Sequence, residues 1–566
     1  MHWKTKAIAA LALAAGGAVL AQDALKADET HAAEVDKLFE KIDTTVTPGC
    51  ALSVMQGGRI VYERGYGMAD LDHNVAIMPT TVFHVASMSK QFTAAAIVML
   101  AQQGKLSFDD PVQKYIPEMH DFGAPVTIRD LIHHTSGLRD QWDLLELAGW
   151  RYSRDLITDQ DILSVVTRQK ELNFAPNTRF LYSNTGYTLL GQIVKRVSGK
   201  SLREFTSENI FAPLGMKSTH FRDDHAEIVK NMAYGYEPAA GKFKIGNTNF
   251  DTVGATSLLT TVEDLQHWDE NFYEPRVGGQ AMVKQMLEQG RLNSGEQIGY
   301  AFGLDVGTDR GLRTVDHAGG DAGYRSDMIR FPDQHFTVAC LCNSAAVDPG
   351  DLTRKVAAIY LAKEMKPEEK TQANDEKGVE LTPEQVNGKA GTYLKADTDD
   401  VIRFLVKDGK LRVSNGLDEM SFELKARDAN HFKMVMAPVD FSFSAAKAGG
   451  PLEMTLREDD EKPAVYRQVD PFTPTAAQIE EYAGLYSSEE IDPVYELKVE
   501  KDALVLVRLK HDPETLKPVA RDLFAGPVGT LRFARDAQGR VAGFMISTGR
   551  ILNLRFARGR PAIPAR

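Results

Sequence analysis

At 566 residues the chain is too long for one hydrophobic core, so two to four domains are expected. Hydrophobic residues make up 43% of it and charged residues 25%, an ordinary balance for a globular protein. A net charge of −12 argues against a nucleic-acid partner, which selects a basic face, and against a polybasic membrane-surface patch.

Lys4 and Lys6 precede an almost wholly apolar run from Ala7 to Leu20, and Val19-Leu20-Ala21 ends in a small residue. A positive flank, a short apolar core and a small-residue exit predict a signal peptide over residues 1–21, cleaved near Ala21, and hence a periplasmic or secreted protein. The run is too short to span a bilayer comfortably, so stable membrane insertion is not expected. Gly49 to Gln56 and Arg59 to Tyr66 then read as a hairpin about Gly57-Gly58. Helices are expected over Gln91 to Leu100 and on to Gly104, and over Thr127 to His133, Asp159 to Gln169 and Gly186 to Val197. Short strands follow at Phe302 to Val306, Arg313 to His317, Tyr324 to Phe331 and Phe336 to Cys342, with a helix over Asp351 to Lys363. Strands at both ends with helices between predict an α+β domain, residues 30–363, whose terminal segments build one antiparallel sheet.

Residues 364–381 are rich in Glu, Lys, Asp and Gln and read as a solvated linker. Beyond it Gln385-Val-Asn-Gly-Lys-Ala-Gly-Thr-Tyr393 matches Gln478-Ile-Glu-Glu-Tyr-Ala-Gly-Leu-Tyr486, 93 residues on. Without a gap, Val401, Phe404, Val406, Leu411 and Val413 then fall opposite Val494, Leu497, Val499, Leu504 and Leu506. Two small all-β units of barrel type are expected over residues 382–470 and 474–566. The odd cysteine count, Cys50, Cys340 and Cys342, leaves at least one thiol unpaired, and buried structural thiols are expected rather than a metal site.

Three short patterns carry chemistry. In Ser87-Met-Ser-Lys90, ahead of the apolar helix, helical spacing puts the Lys90 amine beside the Ser87 hydroxyl, a poor nucleophile until a base takes its proton. Ser444-Ala-Ala-Lys447 has the same spacing but lies in the repeat region with no apolar helix after it. In Tyr182-Ser183-Asn184 the phenol can relay a proton and the Asn184 amide can orient Lys90 and bind a substrate carbonyl. His317-Ala-Gly319-Gly320 ends a predicted strand; its glycines let a substrate backbone approach, and an amide after His317 can donate to an oxyanion.

In this order the patterns resemble the signature of the serine β-lactamase and penicillin-binding protein superfamily, in the class C β-lactamase-like branch where Tyr-x-Asn replaces Ser-Asp-Asn. Gly65-Tyr-Gly-Met-Ala-Asp70, Leu131-Ile-His-His-Thr-Ser-Gly-Leu138 and Pro213-Leu-Gly-Met216 add to the likeness, which covers roughly Ala32 to Lys363. The resemblance implies helices flanking an antiparallel sheet, catalysis through an acyl-Ser87 with Lys90 and Tyr182 sharing acid and base work, and an oxyanion hole from the amides of Ser87 and Gly320. Asn184, His317, Gly319 and Gly320 would bind substrate. Two features depart from the pattern: His317 stands where lactamases and carboxypeptidases carry Lys, and Asn177 stands where many relatives have Gly after Pro.

A His-x-Gly hydrolase followed by two β units resembles the D-aminopeptidase architecture, in which the following units are lipocalin-like barrels. A peptide or amide substrate is therefore expected, ahead of a carboxylesterase and then a β-lactamase. Two readings from other classes are a silent peptidoglycan- or penicillin-binding sensor and β units that serve as the ligand-binding part. Neither cofactor nor metal is expected, the partner expected is a small-molecule or peptide substrate, and the sequence leaves the oligomeric state open.

Overall fold

A computed structural model of the protein describes residues 31–560 apart from 153, 368–377, 416–419, 436, 438, 446–449 and 459–462. The expected signal peptide, and the middle of the expected linker, lie outside the described residues.

The hydrolase-like part is organised by one six-stranded antiparallel sheet. Its strands are β1 (Cys50–Gln56), β2 (Arg59–Tyr66), β3 (Asp305–Asp309), β4 (Leu312–Asp321), β5 (Tyr324–Phe331) and β6 (Phe336–Cys342), in the order β3-β4-β5-β6-β1-β2. Gly57 and Gly58, with φ of 56° and 74°, make the β1–β2 turn, where a two-residue hairpin loop needs positive φ at both positions. One face buries Leu52, Val54, Val338 and Ile329 against the terminal segments, a helical stretch at residues 31–39 and the helix α3 (Pro349–Tyr360). The other face meets the segment inserted between β2 and β3: the helix Val262–Glu270 packs on β1, β2 and β6 and the turn Ala86–Met88 on β4 and β5, with α1 (Ser89–Gln102) and α2 (Asn184–Ser198) packed together in the same core. This is the expected α+β arrangement.

Three local expectations are corrected. β4 does not end at His317 but runs on to Asp321, because Gly319 and Gly320 pair with Ser326 and Arg325 of β5. The strand expected from Phe302 begins only at Asp305: Gly303, at φ 72°, turns the chain against the backbone of Lys90 and Gln91, and Phe302 and Leu304 are buried there. The cysteines are all buried but not all thiols. Register places Cys50 of β1 opposite Cys342 of β6, and the two form a disulfide that leaves Cys340 free. Spacing cannot announce a pairing between strands 292 residues apart.

The repeat region folds into two closed eight-stranded barrels, running from Gly391–Leu394 to Ala464–Val469 and from Gly484–Ser487 to Ile551–Arg558. The duplication extends to detail. Thr382 and Thr475 each cap a short helix with a reciprocal capping box, Gly391 and Gly484 each take positive φ, and Tyr393 and Tyr486 each donate to the carbonyl four residues earlier. The second barrel shares its apolar core with the hydrolase part, whereas the first has a core of its own. Among the described residues no helix is long and apolar enough to cross a membrane.

Candidate active site

Ser87 lies in a one-turn 3-10 segment, Ala86–Met88, that leads directly into α1. Ala86 sits in the left-handed region at φ 48°, a costly conformation for a residue with a Cβ. Ser89 holds this turn in place: its hydroxyl donates to Ala86 O at 2.5 Å and accepts from Leu258 N at 3.0 Å. Ser87 is half-buried while its neighbours Ala86, Met88, Ser89 and Lys90 are buried, so the one hydroxyl that reaches the cleft is the expected one.

Lys90 Nζ lies 3.0 Å from Ser87 Oγ, 2.9 Å from Asn184 Oδ1 and 2.8 Å from Ala255 O. Burial pushes its ammonium down to about 7, against the attraction of Asp321 and Asp140. Asn184 is itself fixed at the start of α2, where its backbone N and Nδ2 donate to Asp140 Oδ2 at 2.7 and 2.9 Å, leaving Oδ1 for Lys90. The Tyr182 ring lies 4.9 Å from Lys90 Nζ and packs against the His134 ring, centre to centre 4.1 Å and tilted by 33°. Burial raises the Tyr182 phenol above its usual value, and the neighbouring Ser87 hydroxyl works against that rise.

β3 pairs with β4 only as far as Asp316, so among the described residues no strand pairs with residues 317–321 of β4 on that side. His317 Nδ1 donates to Ala318 O at 2.6 Å and Nε2 accepts from the Tyr300 hydroxyl at 2.9 Å. Burial, with the Lys90 charge beside it, holds the imidazole down to about 3, so it is neutral at pH 7. Gly319 presses on the nucleophile's turn: a Cβ there would stand 2.4 Å from Val85 O and 3.0 Å from Ser87 N. Gly320, the next residue, continues β4 opposite Arg325.

The structure thus brings Ser87, Lys90, Tyr182, Asn184, His317 and Gly319 into one cleft, with Gly320 beside them on β4. Ser444 goes elsewhere, exposed on a strand of the first barrel, and Lys447 lies outside the described residues. Sequence reasoning missed several contributors. Asp140 and His134 fall in or next to a stretch singled out only for likeness, and Tyr300 carries no local signal. Asp321 is buried at the end of β4, where its carboxylate takes hydrogen bonds from His84, Thr256 and Tyr152. Arg550, from the second barrel, lies 4.8 Å from the Tyr182 ring centre.

Asn177 has taken over the task of the missing glycine. It stands at φ 60°, a conformation asparagine tolerates better than other side chains, and its amide bonds to Thr135 and Asp130.

The Beta-lactamase family profile matches residues 35–363. A penicillin-binding protein of Bacillus subtilis (strain 168) is 34% identical over 322 residues, covering 54% of this chain and 70% of its own. Among solved structures, a penicillin binding protein from Bacillus halodurans is 25% identical with a TM-score of 0.50, over 58% of this chain and 98% of that one. The octameric penicillin-binding protein homologue from Pyrococcus abyssi is 22% identical with a TM-score of 0.56, over 77% of this chain and 100% of that one. The last likeness in fold reaches past the region that the family profile matches.

Proposed function

This chain belongs to the beta-lactamase family, and on that premise we propose that it is an exported serine hydrolase of peptide or amide substrates, D-aminopeptidase-like in organisation, with lipocalin-like barrels. The observation that carries the reading is the surroundings of Lys90. A neutral amine has two hydrogens, and Asn184 Oδ1 and Ala255 O accept two, which turns the lone pair toward Ser87 Oγ. With its ammonium near 7, a large share of Lys90 is in that form at neutral pH.

The Ser87 proton passes to Lys90 as Oγ bonds to the substrate carbonyl carbon, and the oxyanion is met by the amides of Ser87 and Gly320. The C–N bond then breaks while Tyr182 gives its proton to the leaving nitrogen and recovers one from Lys90. Water repeats the sequence on the acyl-Ser87, releasing the carboxylic acid and restoring the serine. Tyr182, kept protonated by burial, suits the role of acid. A neutral His317 gives no fixed cation for a substrate carboxylate at the third motif, which disfavours a penicillinase. Export is supported by the apolar run after Lys4 and Lys6 and by the Cys50–Cys342 disulfide, which suits an oxidising compartment.

The test is a fluorophosphonate adduct located by mass spectrometry, followed by p-nitrophenyl esters, D-amino-acid p-nitroanilides and nitrocefin. Label on Ser87 with anilide turnover is expected. Ester turnover alone gives a carboxylesterase, nitrocefin turnover a β-lactamase, and label without turnover a sensor.

A further inference from the structure

The turn joining the last two strands of the second barrel, Val541–Thr548 and Ile551–Arg558, is fastened to the hydrolase part beside the nucleophile. Arg550 N donates to Asp143 Oδ2 at 2.6 Å, Arg550 O accepts from Asn173 Nδ2 at 2.8 Å, and Leu552 N donates to Asn173 Oδ1 at 2.8 Å. With its backbone fixed on both sides, Arg550 lays its guanidinium over the Tyr182 ring at 4.8 Å, and Nη1 comes within 3.6 Å of Asp140 Oδ2.

That approach to Asp140 is an ion pair rather than a hydrogen bond, and the Asp140 oxygens already accept from Asn184 N, Asn184 Nδ2 and Trp142 N. The Arg550 side chain is 43% exposed, and its guanidinium donates no hydrogen bond among the described residues. An oriented fork of unused donors therefore stands beside the phenol. Because the leaving group must lie against the acid that protonates it, Arg550 is on the leaving-group side of the cleft. His317 is neutral there and Lys90 is turned toward Ser87, so Arg550 is a cation with donors to spare beside the phenol, while Arg325 lies against Gly320 on the far strand β5.

We propose that Arg550 forms a carboxylate-binding subsite: the second barrel supplies the cation that recognises a free carboxylate on the amine released. The ligand is a short peptide whose leaving residue is its C-terminus, held by a planar, bidentate charge-assisted pair. This rests on the hydrolase reading above and deepens it. Charge-assisted hydrogen bonds at a partly exposed site are worth roughly a tenfold change in affinity.

The test uses the full chain and two probes that differ only at the leaving carboxylate, D-alanylglycine and D-alanylglycinamide. For the wild-type protein kcat/KM is expected to favour the acid over the amide, and Arg550→Gln to lower that ratio about tenfold, chiefly through KM, with Arg550→Lys keeping part of it. Binding is read separately by calorimetry in Ser87→Ala, with and without Arg550→Gln, where no turnover intervenes. An acid-to-amide ratio that Arg550→Gln leaves unchanged, or an equal loss on both probes, overturns the subsite while leaving the hydrolase intact. A carboxylate preference in binding that depends on Arg550, without turnover of either probe, upholds the subsite and overturns the hydrolase reading.

Discussion

Arg139 Nη1 of the hydrolase part lies 2.6 Å from Glu490 Oε2 of the second barrel, and both side chains are buried. Arg139 directly precedes Asp140, the carboxylate that orients Asn184, and its own carbonyl accepts from Thr185 at the start of α2. The ion pair therefore anchors the second barrel to the backbone that sets the Lys90 surroundings. The first barrel meets the hydrolase part through the exposed pair of Arg179 with Asp397, and the second barrel through Arg532 with Asp399 and a buried apolar contact of Val401 with Val519, Leu523 and Ala525.

Glu490→Ala strands the Arg139 charge in an apolar interface. Gln169 Oε1 and the carbonyls of Leu552 and Asn553 still accept from it, so the cost sits at the lower end for a broken buried pair, about 3 kcal/mol. Urea unfolding of the full chain measures it. A loss no larger than a surface pair gives would show that the interface does not depend on this contact.

The pH profile follows from Lys90. Its ammonium is lowered to about 7, and only the deprotonated amine can accept the Ser87 proton, so kcat/KM is expected to rise with pH through about 7 and then level. Tyr182 is shifted upward, so its ionisation should cause no fall on the mildly alkaline side. A profile flat from pH 5 to 9 would remove Lys90 as the base.

Ser87→Ala should abolish acyl transfer, at least about a thousandfold, because Ser87 is the hydroxyl that the Lys90 amine reaches. Ser444→Ala should change nothing, as that hydroxyl is exposed on a barrel strand. Labelling with a fluorophosphonate reads both variants in one experiment.

Gly319→Ala tests the contact between β4 and the nucleophile. The new methyl would meet the backbone oxygen of Val85, which cannot move without shifting Ser87, its second neighbour in the chain. A displacement of 1 Å at a nucleophile costs on the order of 100-fold in rate. The expected signature is a fall in kcat of that size with Ser87 still present; unchanged kcat would mean that the sheet edge yields.

Much of this was legible in the chain because it is local. The Ser87–Lys90 spacing and the glycine pair at the β1–β2 turn each record a requirement within a few residues, and the repeat shows because two short segments 93 residues apart match position by position. What was not legible is pairing across the fold. Asp140 reaches Asn184 across 44 residues, Asp321 reaches His84 across 237, and Asn173 receives the turn at Arg550 across 377. Each depends on how the insert folds over the sheet or how a barrel docks, and no spacing rule encodes either. Departures from the expected pattern were informative in a different way: Asn177 marked a backbone demand that only the observed φ explains.

That demand can be separated from the side chain's own contribution. Asn177 N donates to Thr135 O and its carbonyl accepts from Asn293 N, both at 2.8 Å, so the left-handed conformation is held from two sides. Asn177→Gly keeps that conformation without strain but loses the bonds to Thr135 Oγ1 and the Asp130 carboxylate, which should cost about 1 kcal/mol. Asn177→Ala loses the same bonds and adds the steric cost of a Cβ at positive φ, another 1–2 kcal/mol or so. Alanine should therefore be the more destabilising of the two in urea unfolding. Because Tyr182 lies five residues on, Asn177→Ala should also lower turnover more than Asn177→Gly does. Equal effects of the two substitutions would mean that the side-chain bonds, and not the backbone, fix the loop that delivers Tyr182.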